Sequence, residues 1–166
     1  MRIYIIGYMY AGKSTFGKIL AKKLRYNFID LDRVIENKYR TDINTLFSKY
    51  GEQVFRQLEQ KALHDTADLE DTVIATGGGT PCFYDNIKWM NRHGKTLYLK
   101  METEAIMSRI RTSKKSRPLL NNKNEEEQRA FISEQLRHRS LYYEQAILTA
   151  TGIDPDLEET IYRLTT

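Results

Sequence analysis

The sequence predicts an α/β fold, with one parallel sheet covered by helices on both faces and its ligand loops along the carboxyl edge of the strands. Three observations carry that prediction. The apolar run Arg2-Ile3-Tyr4-Ile5-Ile6 enters Gly7-Tyr8-Met9-Tyr10-Ala11-Gly12-Lys13-Ser14-Thr15, which matches the phosphate-loop pattern G-x-x-x-x-G-K-[ST]. Four further short runs of strand character follow, separated by stretches with helical spacing. No linker, internal repeat or low-complexity segment divides the 166 residues, so one domain over 1–166 is expected.

The first strand is Arg2–Ile6, and behind the glycines Phe16, Ile19, Leu20 and Leu24 recur at helical spacing. Strand, loop and helix therefore stand in the order a polyphosphate site requires. The glycines let the backbone approach, while successive N–H groups and the helix N-terminus hold negative charge. Lys13 reaches the β- and γ-phosphates, and Ser14 holds magnesium. The pattern names a nucleotide but no reaction, because kinases, GTPases and motor ATPases share it.

Asn27–Asp30 is the second strand, with Asp30 and Asp32 at its end. Strand alternation places both carboxylates on one face, beyond the sheet edge where ligands bind. One would orient magnesium-bound water and the other accept a hydroxyl proton. The structural alternative makes Asp32 the cap of a helix beginning at Arg33. Thr41 or Asp42 caps a helix with Ile43, Leu46, Phe47 and Tyr50 inward, closed by Gly51. Over 52–67 a second helix aligns Val54, Leu58 and Ala62 with Phe55, and sets Arg56, Glu59 and Leu63 on the adjoining face. Spacing alone favours a solvated Arg56–Glu59 pair.

Thr72–Ala75 is the third strand and runs into Thr76-Gly77-Gly78-Gly79-Thr80-Pro81. Three consecutive glycines exceed what a tight turn needs, so this is read as a ligand-facing loop offering backbone amides. Residues 84–93 form a helix with Ile87 and Met90 inward and with Trp89 and His93 as packing and surface residues. Gly94 ends it, and 95–99 is the fourth strand. Thr103 caps a helix containing Ile106 and Ile110. Residues 109–124 then carry Arg109, Arg111, Lys114, Lys115, Arg117 and Lys123 without an acidic residue. Aromatic partners for RNA bases are missing there, and a mobile lid over phosphates fits better.

Asn124 and Glu125-Glu126-Glu127 open the next helix with negative charge in its first turn. Ile132, Leu136, Arg139 and Tyr143 share one stripe of it. A buried-side arginine needs an anion, supplied by an internal glutamate or by a substrate carboxylate. Residues 146–150 form the last strand, and Asp154-Pro155 opens a final helix with Leu157, Ile161 and Leu164 inward.

Composition limits the function classes. A hydrophobic share of 40% with 29% charged residues suits a globular chain, and no apolar run approaches the length of a membrane span. Met1-Arg2 leads directly into a strand, leaving no room for a signal peptide, and the cytoplasm is the expected compartment. Cys82 is the only cysteine, so neither an intrachain disulfide nor a cysteine metal cluster is possible. It is expected to be inert. The net charge of +4 suits anionic small substrates as well as nucleic acid. A monomer is expected, since no long exposed apolar stripe remains once the core is assigned.

Taken together, these residues resemble the shikimate kinase family along nearly the whole chain. The resemblance rests on the phosphate loop, on Phe28-Ile29-Asp30-Leu31-Asp32 with Ile35-Glu36, and on Gly51-Glu52 with Phe55-Arg56 and Glu59. It continues through Gly77-Gly78-Gly79, Arg117-Pro118-Leu119-Leu120 and Arg139-Ser140-Leu141-Tyr142. It implies a three-layer P-loop kinase fold with a five-stranded parallel sheet, a substrate-binding helical region over about 33–61 and a mobile lid over about 112–124. The implied reaction is transfer of the ATP γ-phosphate to the 3-hydroxyl of shikimate with Mg2+, without nucleic acid or membrane as partner.

The resemblance also assigns roles. Asp32 meets the reacting hydroxyl as base, and Asp30 supports magnesium with Ser14. Arg56 and Arg139 clamp the substrate carboxylate, Gly77, Gly78 and Gly79 border it, and Glu59 steadies the pocket. Gly7, Tyr10, Ala11, Gly12, Lys13, Ser14 and Thr15 hold the ATP phosphates. Lys13 and Arg117 stabilise the transferring charge. Arg111 packs on adenine, with Arg109 competing for the role, and Ile153 and Pro155 line the other side. Two positions depart from the family pattern. Tyr10 stands where a glycine is usual, and Leu31 replaces a small polar residue between the aspartates. Three alternatives remain: a gluconate kinase, a nucleic-acid-linked NTPase suggested by the basic stretch, and a kinase relative made inactive by Tyr10.

Overall fold

The computed structural model describes residues 1–113 and 120–166. The described residues form five strands, each followed by one or two of seven α-helices, beginning with β1 (Arg2–Ile6), α1 (Lys13–Leu24), β2 (Asn27–Asp30), α2 (Leu31–Tyr39) and α3 (Ile43–His64). There follow β3 (Thr72–Ala75), α4 (Asn86–His93), β4 (Lys95–Lys100), α5 (Thr103–Thr112), α6 (Glu125–Tyr143), β5 (Leu148–Thr151) and α7 (Leu157–Thr165). All neighbouring strands pair in parallel, in the order β2-β3-β1-β4-β5. The chain therefore leaves β1 at the centre, builds β2 and β3 on one side, then crosses to β4 and β5 on the other. The loop after β1 opens at that switch point, where parallel sheets leave a crevice for ligands.

Position explains composition. Ile3, Tyr4, Ile5 and Ile6 of central β1 are fully buried, as a strand flanked by two neighbours and covered on both faces must be. β3 is buried throughout, whereas edge strand β2 is only partly covered. Trp89 stacks between His64 and His93 and meets Tyr4 edge-on, which closes the core beneath α3 and α4.

Several boundaries differ from expectation for identifiable reasons. β2 ends at Asp30, whose Oδ1 accepts from the backbone N–H groups of Asp32 and Arg33; the cap of α2 is thus Asp30, and Asp32 lies in the first helical turn. Strand alternation therefore does not align the two carboxylates. Asp42 is the cap of α3, through Thr45 N–H at 2.7 Å. As expected, the helical run breaks at Gly51, which takes φ 84° and ψ 169°; α3 is thus two helices meeting at a kink. α5 begins at Thr103 after Glu102, which makes no side-chain capping bond, and Asp156, two residues beyond Asp154, caps α7. β5 starts at Leu148, later than expected, because Ile147 N–H is taken by Thr96 Oγ1 at 2.8 Å.

The inward stripes also need correction. In α1 the buried residues are Gly17, Leu20 and Ala21, and Ile19 faces out. Phe47, Tyr50 and Val54 are 38%, 51% and 39% exposed, so the bend at Gly51 leaves part of the expected core face of α3 on the surface. With Tyr39, Leu46 and Leu58, Tyr50 and Val54 line a shallow groove of about 400 Å³. No helix among the described residues is long and apolar enough to cross a membrane.

Candidate active site

Phosphate loop, β2 end and glycine run converge above the sheet. A cleft of about 620 Å³ is lined by Tyr10, Gly12, Lys13, Ser14 and Thr15, by Asp30 and Asp32, and by Thr76, Gly77 and Gly78. Three separate sequence motifs thus share one wall because parallel strands all deliver their following loops to the same edge. Gly7, Tyr8, Met9, Tyr10 and Ala11 form the turn into α1, with Ala11 N–H donating to Tyr8 O at 3.1 Å. Lys13 Nζ donates to Gly7 O and Tyr8 O, each at 2.8 Å, which folds the ammonium back over the loop. Ser14 Oγ donates to Asp30 Oδ2 at 2.5 Å.

Gly12, the residue before α1, has φ 85°, and Tyr10 has φ 64°. A glycine takes that left-handed conformation freely; a tyrosine is strained in it, by about 1 kcal/mol or more. The side chain that departs from the family pattern thus occupies a backbone position that suits a glycine.

The glycine run has a steric explanation beside the expected supply of amides. A Cβ on Gly77 would lie 3.0 Å from Glu59 Oε2 and 3.1 Å from Asp32 Oδ1. One on Gly78 would lie 3.3 Å from Arg139 Nη1, and one on Gly79 only 2.6 Å from Arg56 Nη2. Each glycine therefore lets a different charged side chain approach the backbone. Gly77 and Gly78 line the cleft itself, while Gly79, Arg56, Glu59 and Arg139 adjoin it.

Arg56 and Glu59 are not solvated. They are 8% and 1% exposed and joined Nη1 to Oε1 at 2.9 Å. Thr80 Oγ1 donates to Glu59 Oε2 at 2.8 Å, and Phe83 lies under the guanidinium, 4.0 Å from Cζ to the ring centroid. Arg56 Nε is buried without a hydrogen-bond partner among the described residues. A buried guanidinium with a donor to spare is costly unless an anion completes it. Arg139, half-buried on α6, lies over the Tyr8 ring at 5.6 Å.

Four supporting residues carried no motif of their own. Thr80 and Phe83 hold Glu59 and Arg56, Tyr143 Oη donates to Gly78 O at 2.5 Å, and Tyr8 Oη donates to Gln135 Oε1 at 2.5 Å. Tyr143 shared the Arg139 stripe in the sequence, which was the available signal. Cys82 follows this network, and burial pushes its thiol up to about 11 against the opposing pull of Arg139 and Arg56. That agrees with an inert cysteine.

Arg111 pairs with Glu125. Arg109 instead donates from Nη1 to Tyr10 O and from Nη2 to Ile153 O, both at 2.8 Å, so it, Ile153 and the phosphate loop are brought together. Pro155 lies in the same loop before α7. Arg117 and residues 114–119 of the expected lid lie outside the described residues, whereas Leu120 at its far end is buried.

Ser14 and Asp30 offer hard oxygen atoms beside the phosphate loop, the kind of partial protein ligation that magnesium takes together with phosphates. No group of three or more His, Cys, Asp or Glu side chains suited to a metal occurs among the described residues, and such a cage is not needed for this ion. The residues fit the ion.

Known proteins match this chain along most of its length. The model of the shikimate kinase family matches residues 9–164. A shikimate kinase of Phocaeicola vulgatus is 48% identical over 145 residues, covering 87% of this chain and 83% of that protein. The 1.7 Å crystal structure of the Bacteroides thetaiotaomicron shikimate kinase superposes with a TM-score of 0.92 at 41% identity, covering 99% and 96% of the two chains. The Acinetobacter baumannii shikimate kinase, solved in complex with shikimate, gives 0.85 at 32% identity over 99% and 90%.

Proposed function

The chain belongs to the shikimate kinase family, and from that premise we propose how its residues carry the reaction. The protein is a P-loop kinase that phosphorylates shikimate with ATP, in the pathway leading to aromatic amino acids. The observation that carries the site assignment is the glycine run, against which Asp32, Glu59, Arg139 and Arg56 are seated within one short segment.

In this proposal Arg56 and Arg139 take the carboxylate of shikimate. Two charge-assisted contacts from different helices fix the ring's orientation as well as its affinity. Gly77, Gly78 and Gly79 border the ring, and Glu59 holds Arg56 in place. The 3-hydroxyl then faces Asp32. As its oxygen bonds to the γ-phosphorus, the bond from that phosphorus to the β–γ bridging oxygen breaks, the hydroxyl proton passes to Asp32, and ADP leaves.

Gly7, Tyr10, Ala11, Gly12, Ser14 and Thr15 cradle the nucleotide phosphates, and Lys13 turns from the loop carbonyls toward the transferring group. Arg117 enters on its sequence position alone, as a second cation for the transition state. Ser14 and Asp30 would hold Mg2+, which when bound neutralises charge on the β- and γ-phosphates. Ile153 and Pro155 border the base together with Arg111 or Arg109. The protein acts as a cytoplasmic monomer in this reading, with residues about 112–124 closing over the phosphates. Closure would exclude water and suppress hydrolysis of ATP.

Coupled measurement of ADP release tests the function, run with Mg2+, ATP and either shikimate, gluconate or no acceptor. Release dependent on shikimate alone is expected. Asp32→Asn should lower kcat by about 10² or more while leaving ATP affinity in place. Full turnover by that variant would remove Asp32 from the base role.

A further inference from the structure

We propose that Arg109 is a positioning residue for ATP binding: it holds the phosphate loop in its strained left-handed turn at Tyr10 and ties that loop to the one between β5 and α7. The reasoning begins with Tyr10, whose φ of 64° places a bulky residue where glycine is at ease. Something outside the loop must favour that conformation over its relaxed alternatives. Arg109 Nη1 donates to the Tyr10 carbonyl at 2.8 Å, and Nη2 donates to the Ile153 carbonyl at 2.8 Å. A planar guanidinium suits this bridge, since its donors diverge at fixed angles and it stays charged.

Its location adds a second contribution. A Cβ on Gly12 would lie 2.7 Å from Arg109 Nη1, so the guanidinium rests against the residue that immediately precedes α1. No carboxylate pairs with Arg109 among the described residues, whereas Arg111 is paired with Glu125. The positive charge of Arg109 therefore adds to the helix N-terminus where a polyphosphate binds. Neither contact reaches Arg56, Arg139 or Asp32. Arg109 should thus affect the nucleotide and spare the acceptor.

This inference rests on the ATP-dependent reading, and a binding measurement keeps the two separable. MgATP affinity is measured calorimetrically without shikimate, and steady-state constants are then taken for both substrates. Arg109→Ala is expected to weaken MgATP binding and raise the ATP KM by about tenfold, the loss of charge-assisted hydrogen bonds, with the shikimate KM unchanged and kcat within about threefold. Arg109→Lys, which keeps the charge but lacks the rigid, diverging donor pair that spans the Tyr10 and Ile153 carbonyls, should show the same split at about threefold. It also serves if the alanine variant fails to fold.

Tyr10→Gly is the decisive background. With the strain relieved, removing Arg109 should cost about threefold or less, making the two changes non-additive. An ATP affinity within twofold of the parent in Arg109→Ala and Arg109→Lys would overturn the proposal. So would an equal rise in both KM values, or the same loss with and without Tyr10. Failure of shikimate turnover in the parent would count against the kinase reading and leave the MgATP comparison intact.

Discussion

Cys82 shows how a single residue's chemistry is set by where the chain buries it. Its thiol is pushed up to about 11 because burial disfavours the thiolate more than Arg56 and Arg139 favour it. At pH 7.5 alkylation by iodoacetamide should therefore run about a hundredfold slower than for a free thiol. The folded state keeps its proton more tightly than the unfolded state, so this contribution is complete below the unfolded pKa of about 8.5 and is lost as pH rises toward 11. Urea midpoints taken at pH 7 and pH 9.5 should fall with pH in the parent and fall less in Cys82→Ala. A fast reaction at neutral pH would show that the thiol is neither buried nor held protonated. Glu59 is the second buried acidic residue of this region, with Arg56 Nη1 on one carboxylate oxygen and Thr80 Oγ1 on the other.

At the scale of elements, α3 is the telling case. Its two halves meet at Gly51, at φ 84°; the surface groove runs across that junction from Leu46 to Leu58, and the second half carries Arg56 and Glu59. A Cβ there would meet nothing within 4 Å, so Gly51→Ala probes the backbone alone. The expected cost is about 1–2 kcal/mol of stability, from placing an L-residue in the left-handed region. Equilibrium unfolding measures it. Because the bend also aims Arg56, the shikimate KM should rise more than the ATP KM. Unchanged stability would mean that the helix simply straightens at this point. α2 carries a related lesson, since the Asp30 cap fixes the register of its first turn and so delivers Asp32 to Gly77.

Across the whole molecule, β1 at the centre of β2-β3-β1-β4-β5 decides that the ligand loops share one edge. In the proposed site the acceptor groups come from α2, α3, the β3 loop and, through Arg139, α6, and the phosphate loop stands at the switch point. Ligands that bridge these parts should stabilise the fold jointly. A saturating ligand at about 100 times its Kd adds about 2.7 kcal/mol, or roughly 5–10 °C for a chain of this size. Thermal melts with MgADP plus shikimate should therefore exceed those with either alone. A shift with shikimate but none with MgADP would detach the phosphate loop from nucleotide binding.

The alternation of strand and helix, the phosphate loop and the presence of a glycine run were all readable from local pattern, because each depends on residues close in sequence. Shikimate kinase resemblance added which of those residues meet in one site. Spacing could not place Arg56 and Glu59, since an i,i+3 pair looks the same on a wet or a dry helix face; only the packing of Phe83, Thr80 and Gly79 around them decided it. Local pattern likewise offered Asp32 as an alternative cap and favoured an inward Tyr50, and both changed once Asp30 and Gly51 set the actual helix geometry. The left-handed turn at Tyr10 and its bond to Arg109 join residues 99 positions apart. What the chain encodes locally is its elements and motifs; which charges are buried, and which backbone must be strained, is determined only when distant elements are brought into contact.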